Sequence, residues 1–525
     1  MLWQASSPLW RSCGMSGKKA LIHGVGSGRA VAPSFVQERA RPALIVERRT
    51  SALLDHIWGY GGRLGHTPIL DALERHAKVE RTSLHVPGHH SGRLFYDGLS
   101  PWLGQALRID LTELPGLDNL HAAEGCILES ERLTATHYGA DATYFSVNGA
   151  TACMMAAIRA CVTPKRRRVI LLGPCHVSVW RGLVHADAEP VWLPSPWRSD
   201  LQAFECPHPD ALYTALKKHS HVACVVVTSP TYQGFVADVA GLAAACHDAG
   251  VPLVVDEAHG AHFGLHPMLP PHSVSQGADI VIQSPHKTLP CLTQAAWVHV
   301  TGDAARCRAV RDALSFLQTT SPSYLLLASL DAAQAWLTSG RDTVEATLAT
   351  LAKFRELEPN RDPMRVWIPT GDFAASQRLA DGLTRHGMFL EYADAAGALA
   401  IFGFGQHERE LAKFFAVLRN WQESEAWPMV RRHTDSLEAL YELGTSEHAL
   451  CPRQVDETTG RMVPLAQAAG RVLKRAIAPY PPGVPALWPG QTLSGDAVAI
   501  LMRLRATGQT LIGLELEDQI EVCDD

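Results

Sequence analysis

The chain is predicted to fold as an α/β protein with a mostly parallel sheet from about Thr67 onward. Short apolar runs rich in β-branched residues alternate with helix-like stretches, which is typical of strands joined by crossover helices. Polar residues follow the ends of these runs. In a parallel sheet such ends meet at one edge, where ligands bind. The sequence therefore predicts both the architecture and the place of a site.

Five segments have the length and composition of buried strands. They are ATYFSV (Ala142–Val147), RVILLG (Arg168–Gly173), VACVVVTSP (Val222–Pro230), VPLVVDEA (Val251–Ala258) and ADIVIQS (Ala278–Ser284). The segments TACMMAAIRACV and DVAGLAAACHDAG between them are predicted helices, and Gly250 is a suitable cap for the second.

The whole chain is predicted to divide into four parts. Residues 1–66 form an N-terminal extension, 67–340 the major domain, 341–450 a small α/β domain, and 451–525 a C-terminal segment. That last segment contains APYPPGVPALWPGQ (Ala478–Gln491), whose prolines forbid a helix and favour an extended loop.

Composition excludes several classes of protein. The chain is 46% hydrophobic and 19% charged, and its net charge of −6 gives no field that would attract nucleic acid or an anionic membrane. The 12 cysteines include no C-x-x-C pair, so neither a zinc ribbon nor a disulfide framework is indicated. No apolar run is long enough to span a membrane. We expect a soluble protein in a reducing compartment.

The first 37 residues contain basic residues and six serines but no acidic residue. This bias suits an organelle transit peptide, for a plastid or a mitochondrion, and equally suits a disordered tail. Both interpretations remain open, so the localisation is predicted as cytoplasmic or organellar.

Five kinds of polar group follow the five predicted strands. They are an anion-binding turn, an imidazole, hydroxyl groups, a carboxylate and a lysine. The residues are Asn148-Gly149-Ala150-Thr151, Cys175-His176, Ser229-Pro230-Thr231-Tyr232, Asp256-Glu257-Ala258-His259 and Ser284-Pro285-His286-Lys287. We expect them to share one edge of the sheet.

Two alternative interpretations of the stretch DEAH (Asp256-Glu257-Ala258-His259) are weak. A DEAH helicase requires an upstream G-x-x-x-x-G-K-[ST] loop to hold the nucleotide phosphates, and the sequence contains none. A metal site could use His259, His262 and His266, with His286 as a further ligand. Gly260, Gly264 and Pro267 interrupt the helix that such spacing would need, and the prediction is that no metal is bound.

A cofactor bound covalently to lysine explains the polar groups best. Lys287 follows an apolar strand and could be partly desolvated, which favours the reactive unprotonated amine. Asp256 could pair with a protonated pyridine nitrogen. The turn at Gly149, Ala150 and Thr151 would offer backbone N–H groups to a phosphate.

Several longer stretches resemble the major domain of the Orn/Lys/Arg decarboxylase family, fold type I enzymes that use pyridoxal 5′-phosphate (PLP). They lie in order between Thr67 and Gln491. They are LHVPGHHSG (84–92), DLTELPGLDNLHAAEGCILESE (110–131), YFSVNGAT (144–151), HVSV (176–179), SPTYQG (229–234), VDEAHGAHF (255–263), QSPHKTLPCLTQAA (283–296) and PYPPGVPALWPG (479–490).

The resemblance implies a role for each residue of the edge. Lys287 would bind the PLP aldehyde, Asp256 would pair with the ring nitrogen, and His176 would stack on the ring. Ala258 would pack against the other ring face with His259 beside it. The residues expected around the phosphate are Gly149, Ala150, Thr151, Ser284 and His286.

The implied activity is decarboxylation of lysine, ornithine or arginine to the corresponding amine, as in amino-acid metabolism and polyamine biosynthesis. An aminotransferase, another amino-acid-transforming enzyme of this fold, and a catalytically silent regulatory homologue remain alternatives. The resemblance also implies a homodimer or larger homo-oligomer, an aspartate-aminotransferase-like large domain, and smaller α+β C-terminal domains.

Four positions depart from the usual pattern of the family. His90 and Val177 stand where Lys is usual, Pro285 where Thr is usual, and Gln491 where Glu is usual. None is a predicted cofactor anchor, but three charges around the site are lost. The departures therefore bear on substrate choice.

Overall fold

A seven-stranded sheet forms the centre of the computed structural model, which describes residues 65–79, 82–358, 360–424, 435–446, 448–515 and 518–524. The strand order is β1-β9-β8-β7-β6-β2-β3. Its strands are β1 (Ala142–Ser146), β2 (Arg168–Leu172), β3 (Glu189–Leu193), β6 (Val222–Thr228), β7 (Leu253–Asp256), β8 (Ile280–Gln283) and β9 (Ala296–Val300).

The sheet is parallel except for one strand. β9 pairs antiparallel with both β8 and β1, whereas the other neighbours pair in parallel. The carboxyl ends of the five predicted strands consequently lie on the same edge. The predicted α/β fold with a mostly parallel sheet is confirmed.

Both faces of the sheet are buried, because alternate strand residues belong to different apolar clusters. Val225 and Val227 face one cluster with the helices Pro68–Lys78, Cys126–Tyr138, Val239–Asp248 and Tyr324–Ser339. Val226 and Val254 face the other with the helices Gly149–Cys161, Val177–Ala186 and Ala304–Leu317. Period-two alternation on a sheet covered on both sides explains why these strands read as continuous apolar runs.

Two smaller clusters lie beyond the main sheet. One packs around a three-stranded sheet of order β10-β12-β11, formed by β10 (Arg365–Pro369), β11 (Tyr392–Ala393) and β12 (Gly397–Ile401). The other joins Trp367, Tyr392 and Leu399 of this sheet to residues of 437–522. The short strands elsewhere are β4 (Trp197–Arg198), β5 (Ala203–Phe204), β13 (Gly460–Pro464), β14 (Ala478–Tyr480), β15 (Thr510–Ile512) and β16 (Gln519–Cys523).

The remaining helices connect these sheets. They are Ser100–Leu103, Pro209–Lys218, Arg341–Leu351, Phe373–Arg385, Glu408–Ser424, Asp435–Leu443, Pro452–Glu457 and Gly495–Ala506, with 3-10 turns at Gly104–Arg108, Leu120–Ala122, Ser273–Gln276, Pro285–Lys287 and Leu465–Gln467. No helix within the described ranges has the length and apolar character required to cross a lipid bilayer. The predicted transit peptide or tail lies outside the described residues.

Candidate active site

A cavity of about 440 Å³ opens at the carboxyl edge of the main sheet. Residues that follow all five predicted strands line it, and so do residues from 394–396, 437–441 and 479–484. The cavity thus combines the strand ends with the small three-stranded sheet and the proline-rich loop. The predicted site residues that line it are Gly149, Ala150, Thr151, His176, Asp256, Ala258, His259, Ser284, His286 and Lys287.

Lys287 enters the cavity from the short 3-10 turn Pro285–Lys287, directly after β8. Its backbone N–H donates to the carbonyl of Ser284 at 3.0 Å, which fixes the turn. Burial lowers the pKa of Lys287, and the positive charge of Arg365 lowers it further, while Asp256 and Glu391 act in the opposite direction. The lowered pKa increases the fraction of unprotonated amine, the form that covalent cofactor binding requires.

His259 lies between Lys287 and a buried arginine. Its Nε2 is 3.0 Å from Nζ of Lys287, and its Nδ1 is 2.7 Å from Nη2 of Arg365. Burial, followed by the charges of Lys287 and Arg365, holds the pKa of His259 well below its usual value. The ring of Tyr232 packs beside it with centroids 4.5 Å apart. A neutral imidazole in a fixed orientation results.

Asp256 ends β7 and is buried. Its Oδ1 accepts the backbone N–H of Ala258 at 3.2 Å, and its carbonyl accepts the N–H of Ser229 from the neighbouring strand. These bonds orient the side chain at the sheet edge. The carboxylate is close enough to raise the pKa of Lys287 by charge attraction.

His176 follows β2 and begins the helix Val177–Ala186 as its N-terminal cap. Its Nδ1 accepts the N–H of Ser178 at 3.2 Å, so the ring is held at the cavity wall. Shelter from bulk water lowers the pKa of His176, against an opposing effect of Asp256. A neutral, flat ring on this wall agrees with the predicted stacking role, which stays a prediction.

The turn after β1 has the form of an anion site. Gly149 has φ of +76°, a conformation that favours glycine, and it begins the 13-residue helix Gly149–Cys161. The preceding residue, Asn148, makes no side-chain cap to this helix. The first N–H groups of the helix, at Gly149, Ala150 and Thr151, border the cavity. Uncapped N–H groups and the helix dipole favour a phosphate there.

Ser284 and His286, the other residues predicted to surround the phosphate, line the same cavity. Nδ1 of His286 lies 2.9 Å from the carbonyl of Ala295, so this nitrogen donates and Nε2 remains available. Burial lowers the pKa of His286. An anion at Nε2 would favour its protonated form. Together the residues present fit a phosphorylated aldehyde cofactor with a basic ring nitrogen.

The histidines considered as metal ligands have different partners. Nε2 of His262 lies 3.0 Å from Oδ1 of Asp362, and both side chains are fully buried. His259 contacts Lys287 and Arg365 instead. Across the part of the chain that the structure describes, no three His, Cys, Asp or Glu side chains are placed to hold a metal ion.

Sequence reasoning missed Arg365 and Asp362. Neither residue lines the cavity, but Arg365 contacts His259 and Asp362 contacts Arg365. Nε of Arg365 is 3.1 Å from Oδ2 of Asp362, with both side chains completely buried. It also missed Asp394, which lines the cavity from the small sheet. The available signal was a charged residue within an apolar run, as in RDPMRVWIP and EYADAAGALA.

The structure places the four departures from the family pattern as follows. Pro285 opens the turn that carries Lys287, Val177 begins the helix after His176, and Nδ1 of His90 lies 3.1 Å from Oγ of Ser83.

The fourth departure, Gln491, is buried, and both the oxygen and the nitrogen of its amide form hydrogen bonds. Its Nε2 donates to the carbonyl of Gly444 at 2.7 Å while its Oε1 accepts the N–H of Trp488 at 2.8 Å. A neutral amide suits this position because it must both donate and accept.

Family models match most of the chain. The model of the Orn/Lys/Arg decarboxylase major domain matches residues 67–396, and that of the Orn/Lys/Arg decarboxylase C-terminal domain matches residues 436–519. Together they include every residue that lines the cavity.

Curated bacterial proteins are similar over most of their length. The uncharacterized protein YaaO of Bacillus subtilis is 32% identical over 84% of this chain and 94% of its own. An arginine decarboxylase of Halalkalibacterium halodurans is 30% identical over 86% of this chain and 96% of its own. A constitutive lysine decarboxylase of Escherichia coli is 23% identical over 86% of this chain and 79% of its own.

Two solved structures share the fold. The lysine decarboxylase LdcF of Francisella novicida superposes with a TM-score of 0.74 at 17% identity, covering 91% of this chain and 84% of its own. The constitutive lysine decarboxylase of Escherichia coli gives 0.70 at 21% identity, covering 91% and 84%. The predicted large α/β domain followed by a C-terminal domain is confirmed.

Proposed function

Since this chain belongs to the Orn/Lys/Arg decarboxylase family of PLP-dependent fold type I enzymes, we propose that it decarboxylates lysine, ornithine or arginine. The observation that carries the proposal is the placement of Lys287 beside His259 and Asp256 in the cavity at the sheet edge. A lysine with a lowered pKa at this place suits covalent cofactor chemistry.

The chain's residues would hold PLP at three points. Lys287 would bind the aldehyde carbon, Asp256 would keep a proton on the ring nitrogen, and the helix beginning at Gly149 would receive the phosphate. His176 and Ala258 are proposed to contact the two ring faces. When bound, PLP supplies an electron sink for the pair left on the substrate's α-carbon.

The residues of the site then support one exchange at the α-carbon. The bond from the α-carbon to the carboxyl carbon breaks, carbon dioxide leaves, and a proton takes its place to give the amine. Lys287 Nζ and His259 Nε2, 3.0 Å apart, are placed to hold and deliver that proton. Asp256, which is buried at the end of β7, would stabilise the positive charge of the ring that accepts the electron pair.

The direct experiment supplies purified, PLP-loaded protein with L-lysine, L-ornithine and L-arginine and measures released carbon dioxide and amine. We expect one equivalent of each for at least one substrate. Formation of a keto acid without carbon dioxide would instead show transamination. A protein that retains PLP colour yet converts none of the three would contradict the proposal and favour a silent homologue.

We also propose that the protein acts as a homodimer or larger homo-oligomer. Leu94, Tyr96 and Trp102, within a segment that follows the LHVPGHHSG motif, are 74%, 79% and 83% exposed in the single chain. Such a concentration of exposed apolar side chains is typical of an interface, and a second copy of this chain is the proposed occupant. Bacterial relatives give no support to organelle targeting, which is not part of the proposal.

A further inference from the structure

Three carboxylates line the cavity within the described residues, and they differ in what they contact. Asp256 is the proposed partner of the cofactor ring. Glu205 forms an ion pair with Arg198, in which Nη1 of Arg198 lies 2.7 Å from Oε1 of Glu205. Asp394 is the remaining one, and the cofactor chemistry above gives it no role.

Asp394 occupies the turn between β11 and β12. One of its oxygens, Oδ1, accepts the backbone N–H groups of Ala396 at 2.9 Å and of Gly397 at 3.0 Å. Those two bonds satisfy the needs of the turn. The other oxygen, Oδ2, has no hydrogen-bond partner in the described part of the chain, so the charge serves no evident structural purpose.

The carboxylate is held in place by more distant segments. Oε1 of Gln509 accepts the N–H of Ala395 at 3.1 Å, and Nε2 of the same side chain donates to the carbonyl of Tyr480 at 2.9 Å. Asp394 is 6% exposed. Because burial without a neighbouring cation disfavours the charged form, its pKa is raised to about 7. A cation bound there would relieve this cost.

Aromatic rings connect this carboxylate to the lysine end of the cavity. Burial raises the pKa of Tyr392 and of Tyr441, and the nearby negative charge of Asp394 raises both further. Tyr392 packs against Tyr232 with centroids 6.2 Å apart, and Tyr232 packs against His259. Of these rings, Tyr232 and Tyr441 line the cavity, and aromatic walls accommodate an aliphatic chain and a cationic end group.

We propose that Oδ2 of Asp394 receives the cationic end group of the amino-acid substrate, so that this residue determines the preference for basic side chains. The inference rests on the proposed function, because it places the substrate's α-carbon at Lys287 and its far end at Asp394. Because only one oxygen is available, the substrate would donate one N–H to it, from an ammonium or from one nitrogen of a guanidinium. A bidentate pair between a guanidinium and both carboxylate oxygens would not form.

The test compares Asp394→Asn with Glu205→Gln in the PLP-loaded protein. Asn retains the oxygen that accepts the turn's N–H groups, so the variant removes the charge with little change of shape. We expect KM for the best basic substrate to rise about 10- to 150-fold, the equivalent of one hydrogen bond to a charged group. PLP absorbance should be retained, and Glu205→Gln should leave KM near the wild-type value.

A second measurement separates this inference from the proposed function. Isothermal titration calorimetry with cadaverine, putrescine and agmatine measures whether wild-type protein binds an amine of the expected class and whether Asp394→Asn loses that binding. Wild-type binding that is lost in the variant, without any release of carbon dioxide, would support Asp394 and contradict decarboxylation. Unchanged binding and KM in Asp394→Asn, a loss confined to Glu205→Gln, or no amine binding by wild type would overturn the assignment.

Discussion

Nη2 of Arg365 lies 2.7 Å from Nδ1 of His259, and both side chains are buried. A guanidinium only donates hydrogen bonds, so Nδ1 is the acceptor and the proton of the neutral ring is on Nε2. Nε2 in turn lies 3.0 Å from Nζ of Lys287. Arg365 therefore sets the tautomer of the imidazole that faces the lysine, without itself lining the cavity.

The first prediction concerns the buried pair of Arg365 and Asp362. Arg365→Gln should lower the free energy of unfolding by about 3–5 kcal/mol, because the buried carboxylate of Asp362 loses its ion pair with the guanidinium, while its contact with His262 remains. Denaturant unfolding measures this loss. As a control, Lys353→Gln breaks an exposed pair with Glu408 and should cost less than about 1 kcal/mol. Equal effects of the two substitutions would contradict the burial argument.

The second prediction concerns the cofactor lysine. Lys287→Ala should abolish the yellow colour of the PLP-loaded protein, because no amine remains to bind the aldehyde. Turnover should fall by at least about 10²–10⁴-fold, since the proposed proton donor is lost with it. Lys353→Ala, at an exposed position, is the matched control and should keep both properties. A Lys287→Ala protein as active as its parent would show that another group does this chemistry.

The third prediction concerns the charge at the end of β7. Asp256→Asn should retain bound PLP but lower kcat by about 10²–10³-fold, because the amide no longer stabilises a positive ring nitrogen. Asp303→Asn is a suitable control, as Asn can replace Asp at the cap of the helix Ala304–Leu317. Steady-state kinetics and absorbance distinguish a rate effect from cofactor loss. An unchanged kcat in Asp256→Asn would refute the electron-sink role.

Local pattern was sufficient to predict the strands and their common edge. Each predicted strand is a short apolar run, and a parallel sheet brings the ends of such runs together without further information. β9 was not predicted, although AWVHV has a similar pattern. β3 was missed because EPVWL, at the sheet edge, contains a charge and a proline and is only partly buried.

The supporting residues could not be predicted in the same way. Arg365 contacts His259 across a sequence separation of 106, and Asp362 contacts His262 across 100. Asp394 reaches the cavity only because the small sheet packs near it. Such contacts depend on how separate elements pack, and neither periodicity nor spacing along the chain contains that information.

The fourth prediction concerns the proposed subunit interface. Trp102→Glu should shift the protein from dimer towards monomer, because a charge would be buried in an apolar contact. Phe389→Glu is the matched control, since Phe389 is 82% exposed against 83% for Trp102 but lies elsewhere in the chain. Sedimentation velocity measures both. A wild-type monomer, or a Trp102→Glu protein that remains dimeric, would exclude this surface as the interface.

The fifth prediction concerns pH and the buried carboxyl group of Glu131. Its Oε1 accepts the N–H of Phe145 at 2.9 Å, and burial raises its pKa from 4.5 to about 8. The folded protein therefore binds this proton more tightly than the unfolded chain does. The resulting stability is fully present below pH 4.5 and is lost as the pH rises towards 8, with a slope of at most about 1.4 kcal/mol per pH unit.

Glu131→Gln should remove this contribution, because the amide oxygen can still accept the N–H of Phe145 but cannot ionise. We expect the free energy of unfolding to fall less between pH 5 and pH 8 than in wild type, measured by urea unfolding at several pH values. Glu345→Gln, at an exposed position, should reproduce the wild-type slope. Glu257, whose pKa burial raises to about 7, retains a slope of the same sign in every variant. If Glu131→Gln and wild type lost stability in parallel, the carboxyl group of Glu131 would already be ionised in the folded protein.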